Sequence, residues 1–154
     1  MTETAIHFRP MQEADLPAVL DIERSAFSHP WTHKLFLDSL KSHQCWLIVN
    51  QDEPVGHGII SLILDEAHLL NLCIKPQFQQ CGLGFALLTK LLDEARAKGA
   101  RECFLEVRQS HQAAQRLYYR CGFNEIGRRR DYYPKAGGFE DAVVMACTLG
   151  LNYL

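Results

Sequence analysis

Two stretches of the chain hold groups whose types and spacing could act on a substrate. The first is Gln79-Gln80-Cys81-Gly82-Leu83-Gly84, which follows an apolar run and leads into the most regular helical pattern in the sequence. Glycines at a strand-to-helix junction let main-chain N–H groups point outward, and the unpaired donors of the helix's first turn then face an anion such as a pyrophosphate. A tight connection would use the same glycines, and the hexapeptide alone does not separate the two readings. No Gly-Lys-Ser/Thr follows and a third glycine is missing, so neither a Walker loop nor a Rossmann unit fits. The second stretch is Cys103-Phe104-Leu105-Glu106-Val107, an apolar strand with one acid inside it. A carboxylate there is costly unless it is paired or functional, or unless Glu106 faces solvent at a strand end.

The remaining reactive side chains carry less. His29 and His33 are four apart, but Pro30 lies between them and no His-Glu-x-x-His pattern is present, so they read as surface histidines and no metal is expected. Six cysteines include no Cys-x-x-Cys pair and mostly lie in apolar runs, as reduced, buried small residues do. Arg128-Arg129-Arg130 reads as a solvated or locally paired run.

The elements that must position these groups follow in order. Ile6 and Phe8 alternate with polar neighbours as a strand, and Asp15 is placed to cap a helix with the stripe Leu16, Val19, Leu20, Ala26 and Phe27. Thr32 is placed to cap a second helix carrying Leu35, Phe36 and Leu40. Trp31, just before that cap, suits a hydrophobic staple onto Phe36 and also a place at a pocket's border. Residues 45–49, 55–64 and 66–74 read as an antiparallel meander that delivers the chain to the glycine loop. Asn71 interrupts the third of these strands, as a bulge, an opened edge or a surface-facing polar residue would. Leu83, Leu87, Leu91 and Ala95 form the apolar face of a third helix, closed by Gly99. The strand around Glu106 comes next, then a helix that Ser110 is placed to cap, with Ala113, Ala114, Leu117, Tyr118 and Cys121 on one face. By itself Tyr118 reads as a core aromatic. Residues 123–130 and 141–149 read as two last strands, with residues 132–138 an aromatic loop between them.

The result is an α+β fold with a mixed, mostly antiparallel sheet of about seven strands and four helices. At 154 residues, with 47% apolar and 22% charged residues and a formal net charge of −2, the chain is expected to be one globular domain over residues 1–154. It offers no field for bulk nucleic-acid binding and no run long enough to span a membrane. Residues 1–5 have neither a basic region nor an apolar core of a leader, so a cytoplasmic protein is expected.

Together these stretches resemble the Gcn5-related N-acetyltransferase superfamily over the whole chain. Gln79 to Gly84 fits its Q/R-x-x-G-x-G/A loop, and the stretch from Ala113 to Phe123 contains its A-x-x-L-Y-x-x-x-G-F segment. A narrower likeness is to the RimI type, carried by Leu105-Glu106-Val107-Arg108, Leu117-Tyr118, Arg129-Arg130-Asp131-Tyr132-Tyr133-Pro134, Glu140-Asp141-Ala142 and His29-Pro30-Trp31. The resemblance implies a three-layer α/β/α fold, acetyl-CoA as co-substrate, and acetylation of the N-terminal alanine of a small-subunit ribosomal protein, number eighteen. It implies Glu106 as general base and Tyr118 as general acid. Leu72, Cys73 and Ile74 would offer backbone groups along the pantetheine, and Gln80, Cys81, Gly82, Leu83, Gly84 and Phe85 would surround the pyrophosphate. Trp31, Tyr132 and Tyr133 would face the peptide, on a monomer or weak dimer. Two positions depart from the pattern. His111 stands where asparagine usually contacts the cofactor, and Phe85 stands where a basic or polar residue is frequent. Acetylation of a lysine or small-molecule amine, or acetyl-CoA sensing without turnover, are the competing readings.

Overall fold

The structure, a computed structural model, describes residues 6–150; the leader expectation for residues 1–5 lies outside it. The chain runs β1 (Ile6–Pro10), α1 (Leu16–Ala26), α2 (His33–Ser42), β2 (Gln44–Asn50), β3 (Glu53–Ile63), β4 (Glu66–Ile74), α3 (Leu83–Ala97), β5 (Glu102–Arg108), α4 (Gln112–Arg120), β6 (Asn124–Lys135) and β7 (Gly138–Thr148). The seven strands form one sheet in the order β1-β2-β3-β4-β5-β7-β6. Every pairing is antiparallel except β4 with β5. This is the expected α+β architecture.

Period-two alternation along the strands divides the core into two. Leu47, Val49 and Ile59 turn to one face, where they meet Leu16, Val19 and Leu20 of α1 and Phe36 of α2. Ile48 and Ile60 turn to the other, against Leu87, Leu88 and Leu91 of α3 and Tyr118 of α4. The sheet is therefore the middle of three layers.

Two irregularities shape the centre. The parallel β4–β5 ladder joins only Glu66–His68 to Glu102–Phe104, so beyond it the strands part and leave an opening in mid-sheet. On the other side of β4 the register shifts, Ile59 facing Asn71 and Ile60 facing Leu69, which leaves Leu70 as the extra residue of a bulge. Asn71 is thus at a bulge and 7% exposed, not on the surface.

Three local expectations are corrected. Asp15 does not cap α1 with its side chain. Its carboxylate accepts from the Gln12 N–H at 2.8 Å and takes a two-pronged ion pair from Arg9 at 2.9 Å, which together satisfy its oxygens. Ser110 does not cap α4 either; His111 is the N-cap residue, and the Ser110 N–H donates to Glu140. Finally, residues 132–135 belong to β6 rather than to a loop, and the turn is confined to residues 136–137. Pro134 is tolerated because β6 is an edge strand, and Asp131, at φ +52°, absorbs the irregularity between Arg129 and Tyr133. Thr32 does cap α2, accepting from the Leu35 N–H, and Trp31 packs on Phe36 at 5.3 Å as the staple requires.

Candidate active site

The parted strands open into a cleft of about 900 Å³ that reaches both faces of the sheet. At one end stands the start of α3. Gly82 takes φ +83°, a conformation that glycine adopts without strain, and nothing lies within 4 Å of where its Cβ would be. The first intrahelical bond runs from the Ala86 N–H to the Gly82 carbonyl, so the N–H groups of Leu83, Gly84 and Phe85 lack intrahelical acceptors and suit an anion. Gln79 ties this loop back to the end of β4, its amide donating to the Ile74 carbonyl at 3.0 Å. The first turn of α3 carries no acid or base of its own. Arg120 of α4 lies over the Phe85 ring at 4.8 Å, so a cation stands beside that turn after all.

In the middle of the cleft, β4 contributes Leu72, Cys73 and Ile74, and β5 contributes Glu106 across the opening. Glu106 is half-buried, its carboxylate receiving Arg129 Nε of β6 at 3.1 Å. Tyr118 lines the same space from α4, packed edge-on against Phe123 at 5.9 Å. Burial pushes its phenol well above the ordinary value, so it holds its proton at neutral pH.

At the far end the α1–α2 loop faces β6. Trp31 and Tyr133 both line the cleft. Tyr133 lies under the Arg108 guanidinium at 4.6 Å, and burial, then the nearby Glu106 charge, push its phenol up to about 12. Arg108 is itself fixed by Glu140 at 3.2 Å and the Pro134 carbonyl at 2.8 Å. His111 also lines the cleft, edge-on to Phe27 at 6.5 Å.

Of the residues singled out in the sequence, Trp31, Leu72, Cys73, Ile74, Gln80, Gly82, Gly84, Phe85, Glu106, His111, Tyr118 and Tyr133 share this cleft. Cys81, Leu83 and Tyr132 are not among its lining. Cys81 is exposed, Leu83 packs towards the core, and Tyr132 stands outside against Tyr133 at 5.0 Å. Sequence reasoning missed Glu23, Arg116 and Arg120, which all line it. Glu23 had a signal: it falls in register with Val19, Leu20 and Phe27, an acid inside an apolar stripe.

The family model for the acetyltransferase (GNAT) family matches residues 16–123. The chain belongs to that family. This acetyltransferase is 40% identical to the [ribosomal protein bS18]-alanine N-acetyltransferase of Salmonella typhimurium over 142 residues, which is 92% of this chain and 96% of that one. It is 39% identical to the enzyme of the same name from Haemophilus influenzae, over 90% of this chain and 96% of that one. The crystal structure of the ribosomal-protein-S18-alanine N-acetyltransferase from Escherichia coli superposes with a TM-score of 0.90 at 36% identity, covering 97% of this chain and 98% of the other. Among the described residues, no helix is long and apolar enough to cross a membrane.

Proposed function

We propose that this acetyltransferase moves an acetyl group from acetyl-CoA to the N-terminal alanine amine of a protein, and that its substrate is the small-subunit ribosomal protein on which its relatives act. One observation carries the reading: a single cleft joins an anion-receptive helix start, a strand released from its neighbour, a half-exposed carboxylate and a phenol, and ends between Trp31 and Tyr133. In this reading the α3 N-terminus, from Gln80 to Phe85, holds the pyrophosphate with main-chain donors, and Arg120 adds charge. The unpaired side of β4 at Leu72, Cys73 and Ile74 receives the pantetheine, and His111 stands beside it. Acetyl-CoA, when bound, supplies an activated thioester carbonyl.

The chain's own residues move the protons. An α-amino group has a pKa of about 8 against about 10.4 for lysine, so near pH 7.4 roughly a fifth is already neutral, compared with about a thousandth of lysine. Glu106 takes the remaining proton from the amine, directly or through a water, on a carboxylate that is part-desolvated but still reachable. Tyr118 returns a proton to the departing thiolate, a role that suits a phenol kept protonated by burial. Trp31, Tyr133 and, outside them, Tyr132 border the peptide, and the chain works as one cytoplasmic domain without a metal.

The test is thiol release from acetyl-CoA with an alanine-initiated peptide, against the same peptide blocked at its N-terminus and carrying an internal lysine. Release only with the free N-terminus is expected. Release with the blocked peptide would move the activity to side chains, and release with neither would remove peptide acetylation altogether.

A further inference from the structure

Glu23 lies outside the proton path, yet it is the most buried acid of the cleft, its side chain 1% exposed. Its carboxylate is satisfied from three separate elements. Oε1 accepts from His57 Nε2 of β3 at 2.9 Å and Asn71 Nδ2 of β4 at 3.2 Å, while Oε2 accepts from the Trp31 N–H at 3.0 Å and Asn71 Nδ2 at 3.3 Å. His57 is fully buried and lies edge-on to Phe36 at 5.4 Å, the same ring that receives Trp31. The loop before α2 is therefore held twice, by its main chain on Glu23 and by its indole on Phe36.

The bulge in β4 is what makes this possible. Ala67 and Leu69 point to the α3 face, and unbroken alternation would send Asn71 the same way. The extra residue Leu70 turns Asn71 and Cys73 to the α1 face instead, where Asn71 reaches Glu23 and the Cys73 thiol reaches the Ile22 carbonyl at 3.9 Å. A polar cluster this deep is expensive to keep, and a leucine at position 23 would fill the stripe of α1 at less cost.

We propose that Glu23 is a positioning residue which locks the Trp31 loop to β3 and β4, so that the peptide wall and the thioester-facing strand are set as one unit. The inference rests on the reading of the cleft as a peptide acetylation site. Glu23 acts through Trp31 and Asn71, and its loss moves the wall without touching the reacting atoms.

The experiment uses Glu23→Ala and Glu23→Asp, the second keeping the charge but withdrawing the oxygens by one methylene. Both are made in a Trp46→Phe background, which leaves Trp31 as the single tryptophan. Acrylamide quenching of Trp31 is measured together with KM for an alanine-initiated peptide and KM for acetyl-CoA. Expected are stronger quenching and a peptide KM raised about tenfold or more, as loss of a charge-assisted hydrogen bond allows, with the acetyl-CoA KM changed less than about twofold. Unchanged quenching and peptide KM in a folded variant would overturn the proposal, and so would an equal rise in both KM values. Should Glu23→Ala not fold, the same two outcomes are read from Glu23→Asp. If the parent protein leaves the peptide unacetylated, the proposed function fails, whereas the quenching result still decides whether Glu23 holds the loop.

Discussion

The cleft has a carboxylate on each wall, and the two are kept in opposite ways. Glu23 is 1% exposed and is bound by donors that cannot move away, a main-chain N–H, a fully buried imidazole and an amide fixed by a bulge. Glu106 is 27% exposed, and its partner Arg129 is a guanidinium that is itself 56% exposed. A carboxylate saturated by fixed donors holds structure in place. One whose partner is solvent-exposed sits in an ion pair that contributes no more than about 1 kcal/mol, so the fold does not depend on it. In the proposed reading, the wall of Glu23, from α1 and β4, sets geometry, and the wall of Glu106 and Tyr118, from β5, β6 and α4, carries the chemistry.

The largest effect expected from that contrast is at Glu106. Glu106→Gln should lower kcat/KM by about 10²–10³ near pH 7 with the melting temperature nearly unchanged, and the deficit should shrink above pH 8, where the substrate amine is already neutral. A pH–rate profile parallel to that of the parent protein would take the base role away from Glu106. Next comes Tyr118→Phe, expected to slow turnover by about tenfold or more while acetyl-CoA affinity is kept. Collapse of affinity would show that the phenol packs rather than reacts. Smaller still is Arg129→Ala, which should change kcat/KM by less than about fivefold, as removal of an exposed pair does. A loss approaching that of Glu106→Gln would mean that Arg129 is as fixed a partner as His57, and the distinction between the walls would fall.

What could be read in the sequence divides along the same line. Local signals held: Thr32 caps α2, Trp31 staples onto Phe36, and the meander leads to a glycine loop with Gly82 in the left-handed region. Each depends on residues a few positions apart. Asp15 misled because its oxygens are taken by Arg9 on another element, and residues 132–135 misled because only the sheet order reveals that β6 is an edge able to carry Pro134. Asn71 stayed ambiguous for a related reason. Its direction is set by the bulge against β3, and its partner Glu23 is 48 residues away in the chain. Glu106 shows itself as an acid in an apolar strand, while the partners of Glu23 need the assembled fold to be seen.

His111 stands where the two walls meet and gives the mildest test. It is edge-on to Phe27 beside the α1–α2 loop, and it faces Arg108 and Glu140 on the other wall. Crowding by the protein, then the Arg108 charge, hold its imidazole below the ordinary 6.5, with Glu140 opposing them. The unfolded chain therefore takes up the proton first as pH falls. The contribution of neutral His111 to stability is complete above about pH 6.5 and is lost as pH drops through the lower folded value. Because the residue stays exposed to the cleft, the effect is small. His111→Asn should narrow the fall in melting temperature between pH 7 and pH 5 by no more than about 3 °C. A wider fall in the variant would mean that protonated His111 is stabilised by Glu140, and that this charge, not the crowding at the junction, governs the position.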